Sequence, residues 1–509
     1  MSTNLKALLV VMAMAIAVFY IAKPICLRFM SDTDFLRRRN VWIALTVTAF
    51  LSPSFWLYAL IALPLMYWAG RKDANPVALY VLLLHVIPPY GMDLPAVLIN
   101  ELFELNNYRI LALSILLPSA WGLFVQKNKS LLGEYKKIDR FLLSYFGLQL
   151  VLLMPYENIT NTFRRGFLMF LDVLILVYVV SRTCNEKKRI DEVLVSFCLA
   201  CAISVPIAAF ESQKVWLLYT GLASEWSIVN RGTYLMRDGM LRAQVSAGHS
   251  LSLGYLLAVA FGIWLYISTY IKSGHQRIMG HCFYWIGLIS ALSRAPWLTA
   301  VLSFLVFTVL NRNGWIKVTR IILMSLPVVA ALLISPIGPK IVDKLPFVGS
   351  VDADNVEYRQ RLAESSWQQI KSHPVFGDPF FMKNLENMRQ GEGIIDLVNV
   401  YASIAMLYGL VGLVLFLAPF LIGLTSAVST LRRSIQKDTE LALLGAGIIA
   451  CMIGTAFFMA TGSFYGALPK IYYLLIGLSA AYGQLKQSEA NRNTNHYEEK
   501  RAQFVPKRK

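Results

Sequence analysis

Apolar residues run along this chain in long blocks separated by short polar stretches. The blocks lie near 5–22, 41–70, 77–93, 108–126, 140–155, 166–182, 194–211, 249–271, 278–311, 316–336, 400–428, 440–461 and 466–484. Most approach or reach the ~17–25 residues that carry a helix across a hydrocarbon core. Lipid cannot satisfy backbone N–H and C=O groups, so spanning blocks are read as helices. The ~10-residue alternating segments of a membrane β-barrel are not seen. The expected fold is all-α: a polytopic membrane bundle of about 12–15 transmembrane helices with one large periplasmic loop containing short helices. Blocks 41–70 and 278–311 are too long for one easy helix, and Pro53 and Pro296 sit near their middles. Proline disfavours a continuous helix, so 278–311 is read as a hairpin of two short helices. For 41–70, one helix and a pair both stay open.

Composition agrees with this pattern. The 509 residues are 56% hydrophobic and 15% charged, against about 25% charge in a soluble chain. The net charge of +18 does not point to nucleic acid. A multispan protein gathers Lys and Arg on its cytoplasmic loops, and the basic tail 485–509 has just Tyr497 and Phe504, without the repeated aromatic interleaving of a base-stacking surface. That tail reads as a disordered cytoplasmic segment. Cys198 and Cys201 form a CxxC inside an apolar run, so they read as small buried residues rather than a redox or zinc pair. The run 7–22 follows a single Lys6 and has no small-x-small cleavage site after it. It is expected to be a retained first helix.

Loop charges set the orientation. The stretches "GRKDAN", "QKNKSLLGEYKKIDR", "RTCNEKKRIDE", "KSGHQR", "NRNGWIKVTR" and "STLRRSIQKD" are basic and alternate with less basic loops, so they are expected to be cytoplasmic. The segments 212–248 and 337–399 then lie outside, and the side of the N-terminus stays open. On this topology Arg231, Arg237 and Arg242 stand on the outer face, against the usual trend. So does Arg294, at the tip of the 278–311 hairpin in "SALSRAPWLTAV". An arginine at the centre of a membrane helix costs about 2.5–3.5 kcal/mol on insertion scales, less near the interface. Arg294 therefore needs a partner. Snorkelling to headgroups would supply one; an anion held jointly with Arg242 would supply another. His249, beginning the next span, stands between anion contact and packing.

In loop 337–399, residues 356–372 have helical spacing, with Val356, Leu362, Trp367 and Ile370 able to share an apolar face. "SHPVFGDP" then breaks the helix. Arg359 and Arg361 are candidate substrate contacts, as is Arg237. Most of the loop's acids read as solvated surface. Asp396, just before the apolar run "LVNVYASIAMLYGLVGLVLF", is the better candidate for a role beside the arginines.

Four motifs follow in order: "RAQVSAGHSLSLG", "SRAPW", "YRQRLAESSWQQIKSHPVFGDPF" and "NVYASIAMLYGLVGL". Together, over roughly 230–420, they resemble the O-antigen ligase / Wzy-type polysaccharide polymerase superfamily. The resemblance divides the chain into N-terminal helices (1–230), a ligase- or polymerase-like region (231–484) and the tail (485–509). It implies a bacterial inner-membrane glycosyltransferase. A glycan on undecaprenyl diphosphate would pass to an acceptor hydroxyl on a glycan or lipid-linked acceptor, at the periplasmic face. Arg242 and Arg294 match the arginines thought to hold the diphosphate. The family's "HN" histidine is missing, since Val398 precedes Asn399; Asp396 is then the candidate base. No cofactor is implied: the sequence has no HExxH, no acidic cluster at ligand spacing and no Walker loop. Implied partners are the lipid-linked donor, the acceptor, the membrane and other polysaccharide-assembly proteins, with no nucleic acid.

The main expectation is a repeat-unit polymerase for an exopolysaccharide, capsule or O-antigen. A ligase joining glycan to a lipid A core would use the same arginines. A transporter or flippase would show internal repeats or midplane charges, and no clear repeat is seen. The topology has a direct check. A reporter fused near Gly349 should give alkaline phosphatase activity and no cytoplasmic-reporter signal; the reverse result would move the arginines to the wrong side.

Overall fold

The computed structural model describes residues 3–95, 102–125, 135–228, 234–237, 239–311, 313–335, 353–389, 395 and 397–503, without the side chains of 328–329, 353–356, 387 and 486–503. In chain order the elements are α1 (Thr3–Cys26), α2 (Asp32–Leu51), α3 (Phe55–Lys72), α4 (Pro76–Leu83), β1 (Gly91–Asp93) and β2 (Glu104–Asn106). Then come α5 (Asn107–Val125), α6 (Lys136–Leu153), α7 (Ile159–Thr183), α8 (Lys187–Lys214) and α9 (Thr220–Glu225). A two-residue hairpin, β3 (Met236–Arg237) and β4 (Met240–Leu241), leads into α10 (Ser250–Ser268), α11 (Gly274–Ser290), α12 (Arg294–Leu310) and α13 (Gly314–Ile334). The chain closes with α14 (Ala353–Ser372), α15 (Val400–Ser434), α16 (Thr439–Thr461) and α17 (Leu468–Gln503). The only sheets among the described residues are the antiparallel pairs β1–β2 and β3–β4. Eight helical stretches there are long and apolar enough to cross a membrane. The protein is an all-α, multi-pass membrane bundle.

Local chemistry places the breaks. The block 41–70 is two helices. Pro53 lies between them, Ser52 is the C-cap residue of α2, and the Ser54 side chain caps α3 by accepting from Leu57 N. Hairpin 278–311 is also a pair, but its turn is Ala291–Ser293, with Leu292 at φ 46°. Pro296 is not the break. It sits in the first turn of α12, where a missing N–H is tolerated. The block 77–93 is not a full helical span. After α4 the chain leaves the helix, because Pro88 and Pro89 offer no donor and restrict the residues before them. The backbone of α17 continues as helix to Gln503, into the tail expected to be disordered.

α8 and α10 lie innermost, and α13 is the most peripheral. One end of the bundle gathers the basic loops. Arg38 of α2 is buried and gives a two-pronged hydrogen bond to Asp73, at 2.9 and 2.6 Å, and a third to Glu192 at 3.3 Å. Arg28 donates to Tyr270 O, and Lys187 bridges Asp191 and Glu440 at 2.9 and 3.1 Å. At the other end Asn4 reaches Gly221 O and Glu225, and Trp226 Nε1 donates to Ser52 O. The N-terminus of α1 therefore shares a face with the 215–249 segment, the point that loop charge left open.

The loop 353–389 is structured. Leu362, Phe381, Leu385 and Met388 form a small core against Met406 of α15. Ile370 packs there too, but Trp367 is exposed, so the apolar face of α14 is narrower than its spacing suggests. Asp378 is not simply solvated: it accepts from Phe380 N, Gln369 and Asn384. The "HPVFG" turn docks where α15 kinks at Gly409 (φ 67°, ψ −172°). There Leu410 N and Val411 N donate to Pro374 O and Val375 O, and Asp378 N donates to Met406 O. Gly377 (φ 70°) faces Gly409 across this contact, and a Cβ on Gly409 would lie 2.1 Å from Val375 O. Gly409→Ala should therefore destabilise the loop's docking by at least about 1–3 kcal/mol, because φ 67° with ψ −172° is a region that essentially only glycine enters. Trypsin cleavage at exposed Arg361 and Lys371 should quicken, with cleavage at the basic end unchanged; an unchanged rate at both ends would refute the packing argument.

Candidate functional site

The turn Ser290–Arg294 is the platform of the site. Segment 234–249 folds over it. Arg237 Nη1 donates to Leu292 O at 2.9 Å. Arg242 Nη2 donates to Ser293 Oγ at 2.7 Å. Ala243 N donates to Ser290 O at 3.1 Å. Ser293 is the N-cap residue of α12 and Arg294 its first residue. Arg237 and Arg242 thus both reach the turn from which Arg294 projects. All three arginines are half-buried.

The "SRAPW" motif builds this platform. Trp297 Nε1 donates to Leu288 O at 2.7 Å, clamping α11 to α12. Pro296 lies against Gly254 of α10, where a Cβ would stand 2.8 Å from Pro296 Cγ. The β3–β4 hairpin presents Arg237, with Gly239 at φ 77° in its turn. Asp-Gly between short strands is the expected signal for such a turn.

His249 caps α10. Its Nδ1 accepts from Leu251 N at 3.1 Å, and its ring meets Tyr465 edge to face at 5.2 Å. A ring nitrogen that accepts carries no proton, so the imidazole is neutral and its Nε2–H is left to donate. α10 and α12 both begin at this end. Their N-termini add partial positive charge to the arginines. The ensemble suits an anion with several oxygens.

Arg359 and Arg361 lie apart. Both are exposed on α14, where Arg361 makes a 3.7 Å surface pair with Glu357. Neither joins the 290–294 turn among the described residues. Asp396 and Arg231 fall outside the described residues, although Ile395, Leu397 and Val398 pack against the loop core. His373 is exposed beside Ser372. No three His, Cys, Asp or Glu side chains gather as metal ligands among the described residues.

Sequence reasoning missed Ser293, Tyr465 and Glu211. Ser293 stood in the quoted motif next to Arg294. Tyr465 and Glu211 gave no local signal, because their partners are distant in sequence. A second charged cluster was also missed. Asp172 accepts from Arg109 at 3.1 Å and from Lys470 at 2.7 Å. Two π-helical turns, Ala112–Leu116 and Phe170–Leu174, lie beside it.

Residues 281–417 match the family described as O-antigen ligase. This part of the chain is O-antigen ligase-like. The match takes in the platform turn, Arg294, the loop and the paired glycines Gly377 and Gly409. Arg237, Arg242 and His249 lie before it. The match points to O-antigen ligase- or polymerase-like activity, and the superfamily resemblance read from the motifs stands. No curated protein matches the chain.

Proposed function

We propose that this protein transfers a glycan from an undecaprenyl-diphosphate carrier to an acceptor hydroxyl at the periplasmic face of the bacterial inner membrane, polymerising repeat units. The observation that carries this is the gathering of Arg237 and Arg242 on the turn that launches Arg294. In the transfer, the acceptor oxygen attacks the anomeric carbon. The bond from that carbon to the diphosphate oxygen breaks, and the hydroxyl proton passes to a base. The departing diphosphate gains charge as this happens. Fixed cations around it stabilise the transition state more than the ground state.

Guanidinium suits the task. It stays charged and offers a planar fork to phosphate oxygens. Arg242 and Arg294 are assigned the diphosphate, with Arg237 and the His249 Nε2–H as further donors. These groups supply the charge that a metal ion supplies in other phosphate sites, so the proposed reaction is metal-independent. Asp396 is assigned the base. Val398 stands where the superfamily's ligases carry histidine, which favours polymerisation over transfer to a lipid A core. Arg359 and Arg361, on the exposed face of the loop, are assigned to the glycan rather than the diphosphate.

Gel analysis of surface polysaccharide in a deletion strain tests the function. Single repeat units should accumulate in place of polymer. Full-length polymer left unattached would instead mark a ligase, and units trapped inside would mark a transporter. Within the site, Arg294→Ala and Arg242→Ala should abolish polymer at normal protein level. Arg294→Lys should retain little activity, because an ammonium is a point charge. Full polymer length in Arg294→Ala cells would refute the assignment. Asp396→Asn should slow turnover of lipid-linked repeat units by about 10²–10⁴ with donor binding intact. A rate near wild type would leave Asp396 as a helix-entry residue.

A further inference from the structure

Glu211 lies one turn before the end of α8, is fully buried, and has no cation bonded to it among the described residues. Its partners are three backbone donors from other segments. Oε1 accepts from Leu218 N at 2.9 Å. Oε2 accepts from Gln244 N at 3.0 Å and Val245 N at 2.9 Å. A group that only accepts, from three donors, is behaving as a carboxylate.

The two segments it holds are strained. Val215 and Val245 have φ of 52° and 47°, a region that β-branched residues rarely enter. Such conformations persist only where the surroundings over-determine them, and they cluster at functional sites. The second segment is also tied by Ser246 Oγ to His85 O at 2.6 Å, and Gly248 (φ 72°) rests on Pro88 and Pro89. Arg242 precedes the tether by two residues and His249 follows it by four.

We propose that Glu211 is a positioning residue: its carboxylate holds residues 242–249 as a rigid strap that presents Arg242 and the His249 Nε2–H to the lipid diphosphate. This rests on the anion-site reading above for what the strap presents, but not for the strap itself. Gln at this position keeps one accepting oxygen and turns an amide NH2 towards at least one backbone N–H. The strap should then open more often, and a protease reads the population of such open states.

The test uses the full chain in lipid nanodiscs. Trypsin cleavage after Arg242 is timed against cleavage after Lys371, an exposed site on α14. E211Q should speed cleavage after Arg242 about tenfold, leave Lys371 unchanged, and weaken binding of undecaprenyl diphosphate to the level of Arg242→Ala. An unchanged rate at Arg242 rejects the inference. Equal acceleration at both sites rejects it too, since Glu211 would then be a general packing residue. If E211Q does not accumulate, E211D is read in the same two assays; it keeps the charge but is one methylene short, and should give an intermediate acceleration confined to Arg242. If Arg242→Ala binds the probe as wild type does, the anion site fails while the cleavage arm still judges the tether.

Discussion

Every backbone polar group held away from water needs a partner, and this requirement shapes the molecule. Helices meet it internally. The irregular segment after α4 and residues 241–249 do not. Both are packed among helices, with Ser246 beside Ala200, Cys201 and Ser204 of α8. They are possible because other groups accept their donors. Glu211 takes Gln244 N and Val245 N, Ser290 O takes Ala243 N, and His85 O takes the Ser246 hydroxyl. A non-helical backbone inside a membrane protein is tolerated where it is buried in protein in this way, and here it carries the arginines.

The second consequence is electrostatic. At the basic end, buried Arg38 is neutralised by Asp73 and Glu192. At the opposite end, Arg237 and Arg242 bond to a carbonyl and a hydroxyl. Those two bonds orient both guanidiniums towards the turn that launches Arg294. The Arg109–Asp172–Lys470 cluster lies between the two cases, with two cations on one carboxylate.

The ligase-like region and the segment before it depend on each other. The matched stretch supplies the turn and Arg294; the preceding β3–β4 hairpin supplies Arg237, and residues 242–249 supply Arg242 and His249. The loop is coupled to the same bundle by backbone contact at Gly377 and Gly409, where no side chain fits. Two motifs far apart in sequence, "HPVFG" and "YGLVG", are thus the two halves of one contact.

The sequence alone determined the class of fold, because uninterrupted apolar length leaves a chain in lipid few choices. It also singled out Arg242 and Arg294, since cations are conspicuous on a face where loops carry few. Helix 356–372 and its end were legible from spacing and from Pro374, Gly377 and Pro379. Other features needed the tertiary structure. Pro53 marked a break, but that Ser31 caps α2 at Asp32 and Ser54 caps a separate α3 was read only from the structure. Block 77–93 looked like a span because hydropathy does not register what Pro88 and Pro89 do to a helix. Glu211 could not be found by any local pattern. Its role exists only because folding brings the N–H groups of Leu218, Gln244 and Val245 to one buried carboxylate, and hydrogen-bond partners that distant are fixed by the fold rather than by the neighbouring residues.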